Sequence, residues 1–210
     1  MGSKSLIEKK TFSIERILNA ASEVFSDMGF AGARMDEIAH RAGLNKAMIY
    51  YRIGDKKALY EAVLHNFFSA YAHRIVENTR AGNSPEEKFT IFVRNTVRTV
   101  EKRGSIAPIM MRELASGTRT LPEVVAQDFA VIISTLAAIL EEGEQSGVFI
   151  KTNPILIHMM IIGTVSYYKM SSPIRINIDQ NSETLKKLNI DPFEDLGSTL
   201  EDYLLKMLKN

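Results

Sequence analysis

Apolar residues recur at every third or fourth position along most of the chain, and this spacing is the strongest constraint on its fold. Apolar side chains at this spacing form one face of an amphipathic helix, and a glycine often ends such a helix. No alternating pattern of convincing length competes with it, so we predict an all-α protein. The first run stops at Gly29 after four turns and consists of Ile14, Ile17, Leu18, Ala21, Val24, Phe25 and Met28.

Two short helices are predicted directly after this first one. Residues 35–42 should form one of them, and Gly43 then permits the positive φ angle of a tight turn. Asn45 supplies a side-chain oxygen that can cap the next helix, KAMIYYR. Two short helices joined by a glycine turn, behind a supporting helix, are typical of a helix-turn-helix.

Capping residues and prolines divide the rest of the chain. Asp55 can cap a linking helix of about residues 56–80, and further helices are expected at 84–104, around APIMMRELA, and at 122–147, 154–173 and 193–208. We therefore predict a helix-turn-helix domain, residues 1–55, and a larger helical domain, residues 56–210. A helix shared by two domains can transmit movement from one to the other.

Positive charge is concentrated in one stretch of the chain. The 26 Lys and Arg residues nearly balance the 25 Asp and Glu residues, yet RAGLNKAMIYYRIGDKKAL, residues 41–59, carries five bases and one acid. If residues 46–52 form a helix, Ile49 and Ile53 face the supporting helices. The outward face and its flanks then present Lys46, Ala47, Tyr50, Tyr51, Arg52 and Lys56.

This outward face suits the major groove of DNA. A lysine can reach a base acceptor or a phosphate, an alanine can contact a thymine methyl group, and a tyrosine can contact sugar or phosphate. Lys56 also lies in the first turn of a helix, where free backbone N–H groups favour a phosphate. The alternative is a solvated basic face whose tyrosines cover a small core.

Residues 17–64, ILNAASEVFSDMGFAGARMDEIAHRAGLNKAMIYYRIGDKKALYEAVL, resemble the N-terminal region of the TetR-type transcriptional regulators. IMMRELASG followed by LP is similar to the core domain of some members. The resemblance implies a homodimeric repressor with a three-helix DNA-binding unit, a linking fourth helix and a larger helical domain that binds an inducer. The candidate DNA-binding residues are then Arg34, Asn45, Lys46, Ala47, Tyr50, Tyr51, Arg52 and Lys56.

Three positions depart from the family pattern. Arg52 stands where histidine or an aromatic residue is frequent, Ile53 where phenylalanine is usual, and Met48 where threonine is common. Arg52 keeps a phosphate donor and Ile53 keeps an apolar side chain. Met48 removes a hydroxyl group and, with it, one family contact to phosphate.

The resemblance also implies a ligand cavity in the larger domain. Methionine adapts to varied apolar shapes, so we expect an apolar inducer with few polar contacts. Packing in the core is the alternative for each residue taken alone. The candidate ligand-binding residues are Phe89, Phe92, Met110, Met111, Phe129, Ile133, Met159 and Thr164.

Sites of catalysis, metal binding or cofactor binding are not indicated. The chain has no cysteine, its four histidines lack zinc-site spacing, and it has no phosphate loop or nucleophile elbow. Arg112 and Glu113 could contact an inducer, although a structural ion pair or solvent exposure fits ordinary helix residues better. We therefore expect neither an enzyme nor a bound cofactor or metal.

The most apolar run, residues 154–168, is shorter than the roughly 20 residues of a membrane-spanning helix. The first ten residues lack the apolar core of a signal peptide, so we expect a cytoplasmic protein with no membrane partner. Because residues 155–168 are apolar nearly all round, we also expect a homodimer interface formed by about 154–171 and 193–208.

These features favour a ligand-responsive regulator, most simply a repressor that binds a palindromic operator as a dimer. Two other classes stay open, an all-α small-molecule sensor or adaptor without DNA binding and a small helical enzyme that acts on an apolar substrate. Binding to a palindromic duplex separates the first class from the other two, and turnover of a bound ligand identifies the third.

Overall fold

A computed structural model describes the backbone of residues 2–181 and 193–209 and the side chains of residues 14–177 and 196–209. Over these residues the fold is all-α, as predicted, and the one β-type contact is an isolated bridge between Phe149 and Lys209. The helices of the described chain are α1 (Gly2–Gly32), α2 (Met35–Ala42), α3 (Lys46–Arg52), α4 (Lys56–Thr79), α5 (Pro85–Lys102), α6 (Ile106–Ala115), α7 (Glu123–Gln145), α8 (Pro154–Met170), α9 (Ser172–Asn181) and α10 (Phe193–Leu208).

Two helix boundaries differ from the predicted ones. Helix α1 begins at Gly2 instead of near Ile14, and it is interrupted at Gly29, where φ is +68°. The sequence predicts that Pro173 ends the apolar helix that starts at Pro154; α8 ends at Met170, and Pro173 occupies the second position of a further helix, α9. A proline has no backbone N–H, and the first turn of a helix needs none, so Pro173 is compatible with a new helix.

The described chain forms two compact units. The first, which we call unit 1, contains residues 1–69 and 105–127 and therefore includes α1 to α3, the first part of α4, and α6. In its core, the ring of Phe25 meets that of Tyr60 edge-on at a centroid distance of 4.9 Å. Its fully buried side chains include Ile17, Phe25, Ile38, Ile49, Leu59, Leu64 and Ile109.

The second, unit 2, contains residues 70–104 and 128–210. Helix α5 packs against both α8 and α10 in this unit. The buried hydroxyl groups of Tyr71 and Thr96 share a hydrogen bond of 2.6 Å. The Phe149 ring lies so close to α7 that a Cβ atom at Gly143 would be 2.0 Å from it, so this position requires glycine.

Unit 1 includes residues 105–127, which are distant from the helix-turn-helix in sequence. The predicted functional boundary between residues 55 and 56 stays a prediction, because compactness is a different property from independent function. Helix α4 is continuous from Lys56 to Thr79, and its residues belong to unit 1 up to Ser69 and to unit 2 from Ala70.

Helix α7, with 23 residues, is long and apolar enough to cross a membrane by length and composition alone. Ile132, Leu136, Ile139 and Leu140 of this helix are nevertheless buried inside the protein. The core helix of a soluble protein passes the same length and composition test. One such helix is therefore weak support for a membrane span.

His158 of α8 is buried, and its ring meets the Phe129 ring edge-on at a centroid distance of 6.3 Å. Its Nε2 atom has no hydrogen-bond partner among the described residues. Burial lowers the pKa of His158 below its ordinary value of 6.5, because the charged imidazolium loses hydration. The folded protein therefore favours neutral His158.

We expect the free energy of unfolding to decrease as the pH falls through about 6.5, because the unfolded chain then binds a proton at His158 that the folded chain resists. His158→Phe should remove this contribution, whereas the matched variant of exposed His73, His73→Gln, should keep it. Urea unfolding between about pH 7.5 and pH 5.5 measures the difference. An unchanged pH dependence in His158→Phe would contradict the assignment.

Candidate nucleic-acid interface

The turn between α2 and α3 depends on Gly43 and on a side chain from α1. Gly43 has φ +60° and ψ +39°, a left-handed conformation that glycine adopts without strain. The Arg16 guanidinium donates to the carbonyl oxygen of Ala42 at 2.6 Å. A Cβ atom at Gly43 would lie 2.7 Å from Nη2 of Arg16. The left-handed turn therefore favours glycine, and any side chain there would displace the arginine that holds the turn.

Helix α3 has only seven residues, so its position depends on its cap and on its buried side chain. The Asn45 Oδ1 atom accepts a hydrogen bond of 2.8 Å from the backbone N–H of Ala47. Ile49 is fully buried, whereas Ile53 is half-buried. The predicted cap and the predicted inward residue thus have a structural role, and in the free protein the Asn45 side-chain oxygen is engaged in capping.

The opposite face of α3 is open to solvent. Ala47 is exposed, Tyr50 is 47% exposed and Tyr51 is 90% exposed. Met48, which replaces the hydroxyl residue common in the family, is also exposed. The structure therefore places the predicted tyrosine face at the surface of unit 1, and its contact with DNA stays a prediction.

Lys46 does not extend freely into solvent. Its ammonium group forms an ion pair of 3.0 Å with the carboxylate of Asp36, an exposed residue of α2. Sequence spacing did not indicate this pair, because the two residues lie on different helices. A phosphate or base that binds Lys46 must therefore compete with Asp36.

The flanking bases differ in how free they are. Arg34 is exposed and precedes α2 without capping it through its side chain. Arg52 is half-buried, and its Nε atom is buried without a hydrogen-bond partner in the described part of the chain. The remaining guanidinium donors of Arg52 are those that could meet a phosphate.

Lys56 supports the end of α1. Its Nζ atom donates to the carbonyl oxygens of Ala33 at 3.2 Å and Ala31 at 3.4 Å, and it lies 4.8 Å from the centroid of the Phe30 ring. The position of Lys56 in the first turn of α4 indicated a phosphate contact, but local spacing gave no signal for this long-range structural role.

The local surplus of positive charge is smaller in the folded protein than in the sequence. Arg41 donates to Asp27 and Glu37 at 2.8 Å each, and these hydrogen bonds raise the pKa of Arg41 above its ordinary value. Of the five bases in residues 41–59, Arg41 and Lys46 therefore already have carboxylate partners. Arg52, Lys56 and Lys57 have no carboxylate partner within the described residues.

The candidate ligand-binding residues are divided between the two units. Met110 and Met111 belong to unit 1, and the others belong to unit 2. Phe89 and Phe92 are fully buried, whereas Met159 and Thr164 are exposed on α8. None of the eight lines either of two cavities in unit 2, one beside Arg94 and Gly197 and one beside Thr79 and Ala138. Their role in ligand binding stays a prediction.

Arg112 and Glu113 have roles that the sequence did not reveal. The Arg112 guanidinium donates to the carbonyl oxygens of Ser26 and Asp27 near the end of α1. Glu113 is buried, and its carboxylate accepts hydrogen bonds from the Tyr60 and Thr120 hydroxyl groups. Among the described residues, no group of three or more His, Asp or Glu side chains is arranged to hold a metal ion.

Comparison with known proteins identifies transcriptional regulators that are similar to this chain over different lengths. The transcriptional regulator RutR of Escherichia coli (strain K12) is 25% identical over 157 residues, which are 75% of this chain and 74% of RutR. The transcriptional activator FasR of Mycolicibacterium smegmatis is 53% identical over 49 residues, 23% of this chain and 22% of FasR. The likeness to FasR is thus stronger but much more local.

A solved structure of the transcriptional regulator FadR from Bacillus subtilis, in complex with stearoyl-CoA, matches with a TM-score of 0.68. The match covers 91% of this chain and 97% of that chain at 20% sequence identity, and it shows the fold.

Two family sequence models match the chain in succession. Residues 17–63, which contain the helix-turn-helix, match the model described as bacterial regulatory proteins of the tetR family. Residues 82–170, which include α5 to α8, match the tetracyclin repressor-like C-terminal domain. RutR is also similar to three quarters of the chain. Together with the two family models, this shows that the protein belongs to the TetR family of DNA-binding transcriptional regulators, which are not enzymes.

Proposed function

We propose that the protein is a repressor that binds a palindromic operator as a homodimer and is released by a small, largely apolar inducer. The observation that carries this proposal is the exposed tyrosine face of α3, a helix that follows the Gly43 turn and is capped at its N-terminus by Asn45. In a DNA-binding family, an exposed aromatic surface on a short recognition helix is suited to the major groove.

The candidate residues divide between two tasks on DNA. Ala47, Tyr50 and Tyr51 form the face that would meet base edges and sugars, with Lys46 beside them. Arg34, Arg52 and Lys56 lie around this face and would bind phosphates, which fix position but read no sequence. Asn45 would act mainly through the cap that it provides for α3.

An exposed apolar surface on unit 2 supports dimerisation. Residues of α8 on both sides of its buried stripe are open to solvent, and Tyr203 and Met207 of α10 are exposed as well. A surface of this kind is typical of an interface between copies. Its α8 members are Ile155, Leu156, Met159, Met160, Tyr167 and Met170.

The inducer is proposed to bind among α5, α7 and α8. The structural relative FadR was solved with stearoyl-CoA, a molecule with a long apolar chain, which supports an apolar inducer for this chain. Phe89 and Phe92 are fully buried, so a ligand would have to separate side chains that now pack together. Linkage then requires that operator and inducer weaken each other's binding by the same factor.

The sign of regulation depends on where the operator lies relative to a promoter. FasR, which is 53% identical to this chain over 49 residues, is an activator, so similarity to known regulators does not determine the sign. We propose that the protein is cytoplasmic and represses transcription. Transcription in vitro from a promoter that overlaps the operator tests the repression. An increase in transcription on adding the protein would contradict repression.

Selection of bound sequences from a pool of random duplex DNA should enrich a palindrome. Its half-site centres should lie one helical turn, about 34 Å, apart, since two recognition helices related by a two-fold axis read equivalent sites. The Tyr51→Ala variant should fail to enrich this sequence while its helical content is unchanged, because Tyr51 packs against little of the protein. Enrichment of no sequence, or of a sequence without symmetry, would exclude the proposed mode of binding.

Removing the acid that pairs with Lys46 should strengthen DNA binding at low salt. Asp36→Asn frees the ammonium group, and an exposed ion pair of this kind corresponds to about 1.5- to 5-fold in affinity. Asp202→Asn is the matched control, because it makes the same chemical change beside Lys206 of unit 2. Fluorescence anisotropy with labelled operator measures both; an equal effect of the two variants would show that only net charge matters.

A charge on the exposed face of α8 should separate the protomers. Met159→Glu would bury two carboxylates in a dimer interface and should raise the dimer dissociation constant by at least about 100-fold. Leu114→Glu is the control, because Leu114 in unit 1 is 62% exposed and Met159 is 61% exposed. Sedimentation velocity measures the change, and a dimer that persists in Met159→Glu would rule out this interface.

A further inference from the structure

A cavity of about 370 Å³ lies within unit 1, beside the end of α1. Three aromatic side chains, Phe25, Phe30 and Tyr60, line it together with Met28 and Ile109. Polar side chains from α6 and the residues after it complete the wall: Arg112, Glu113, Ser116, Arg119 and Thr120. The volume, and the combination of aromatic walls with several polar side chains, are typical of a site for a small molecule.

The carboxylate of Glu113 is incompletely satisfied. Glu113 is only 4% exposed, and its Oε1 atom accepts hydrogen bonds from the Tyr60 hydroxyl at 2.6 Å and from the Thr120 hydroxyl. Its Oε2 atom is buried and has no hydrogen-bond partner among the described residues. A buried carboxylate oxygen without a donor is costly, and a donor supplied by a ligand would relieve that cost.

The Tyr60 hydroxyl is committed to this carboxylate. Burial, and then the hydrogen bond and charge of Glu113, raise the pKa of Tyr60 above its ordinary value of 10.0. Tyr60 therefore stays protonated throughout the physiological pH range, and its hydroxyl proton is donated to Oε1. The donor for Oε2 must come from elsewhere.

Two cations line the same cavity, and they differ in whether they already have partners. Arg112 donates to the carbonyl oxygens of Ser26 and Asp27. Arg119 is exposed, and the structure records no hydrogen bond or ion pair for its side chain within the described residues. The cavity thus offers an acceptor at Glu113, a cation at Arg119 and aromatic surface.

We propose that this cavity binds a small aromatic acid that carries a hydroxyl or N–H donor. The ring lies against Phe25, Phe30 and Tyr60, the donor bonds to Oε2 of Glu113, and the acidic group pairs with Arg119. The Oε2 atom is buried, so a ligand reaches it only after a small movement of the cavity wall. We assign this movement to the side chains of Ser116 and Thr120, which are exposed residues.

A neighbouring cavity of about 450 Å³ shares Phe30, Tyr60, Arg119 and Thr120 with the first. A substituent longer than one ring can therefore extend past Arg119. All the residues that line the two cavities belong to unit 1, so the inference rests on the geometry of unit 1 alone. Binding of operator DNA by the unliganded protein tests the proposed function independently of it.

The probe for this site is 4-hydroxybenzoate, which has one ring, one O–H donor and one carboxylate. The Met28 methyl group lines the cavity, so its NMR signal in protein labelled at the methionine methyls should shift on titration, with the signal assigned through Met28→Leu. The matched compound 4-methoxybenzoate lacks the donor and should bind about 10-fold or more weakly, since hydrogen bonds to charged groups are strong.

Three variants test the assigned contacts by calorimetric titration with 4-hydroxybenzoate. Glu113→Gln keeps an oxygen acceptor for Tyr60 and Thr120 but removes the carboxylate, and it should lower affinity by about 10-fold or more. Arg119→Gln should also weaken binding, and as an exposed residue without a recorded partner it should leave the fold intact. Arg98→Gln is the control, because Arg98 lines a cavity of unit 2.

Several outcomes would overturn the proposal. Absence of a Met28 shift at millimolar 4-hydroxybenzoate would show that the cavity does not bind this class. Equal affinities of the wild-type protein and Arg119→Gln, or equal affinities for the hydroxy and methoxy compounds, would show that the assigned chemistry is wrong. If Glu113→Gln does not fold, the Arg119 variant and the compound pair still decide the question.

Discussion

Four carbonyl oxygens at the end of α1 are held by cations that come from other helices. Arg112 of α6 donates to those of Ser26 and Asp27, and Lys56 of α4 donates to those of Ala31 and Ala33. The last carbonyls of a helix have no partners within it and carry partial negative charge, so cations stabilise them. Because α2 begins two residues after Ala33, this arrangement positions the whole helix-turn-helix.

The same end of α1 explains why glycine occupies position 29. Gly29 has φ +68°, and a Cβ atom there would lie 3.3 Å from the Arg112 side chain. The residue therefore redirects the chain and leaves room for the cation that stabilises it. The end of α1, Arg112 and Lys56 therefore depend on one another within unit 1. The position of α3 and of its exposed face depends on them in turn.

Local patterns were sufficient for much of this fold. The three-to-four spacing predicted α1 through Gly29, the Asn45 cap located α3, and the leucine repeat predicted α10. These features act within a few residues of one another, which is the range that a sequence pattern reports. Helix α9 was missed because Pro173 signals a stop and an N-terminal first turn equally well.

The candidate site was predictable only in part, for the same reason. Exposure of Tyr50 and Tyr51 follows from the spacing to the buried Ile49 on one short helix. The partners of Lys46, Lys56 and Arg16 lie 10 to 26 residues away in sequence. Ion pairs and cation–carbonyl contacts over such separations depend on how helices pack, and no spacing rule describes them.

Lys56 shows what this packing means for DNA. An ammonium group has three N–H donors, and two of those of Lys56 are used by the carbonyl oxygens of Ala31 and Ala33. One donor is left, so a DNA phosphate can be added without the loss of either carbonyl. The same nitrogen atom would then donate to the DNA backbone and to the end of α1. The phosphate contact and the helix end would thus belong to one hydrogen-bond network.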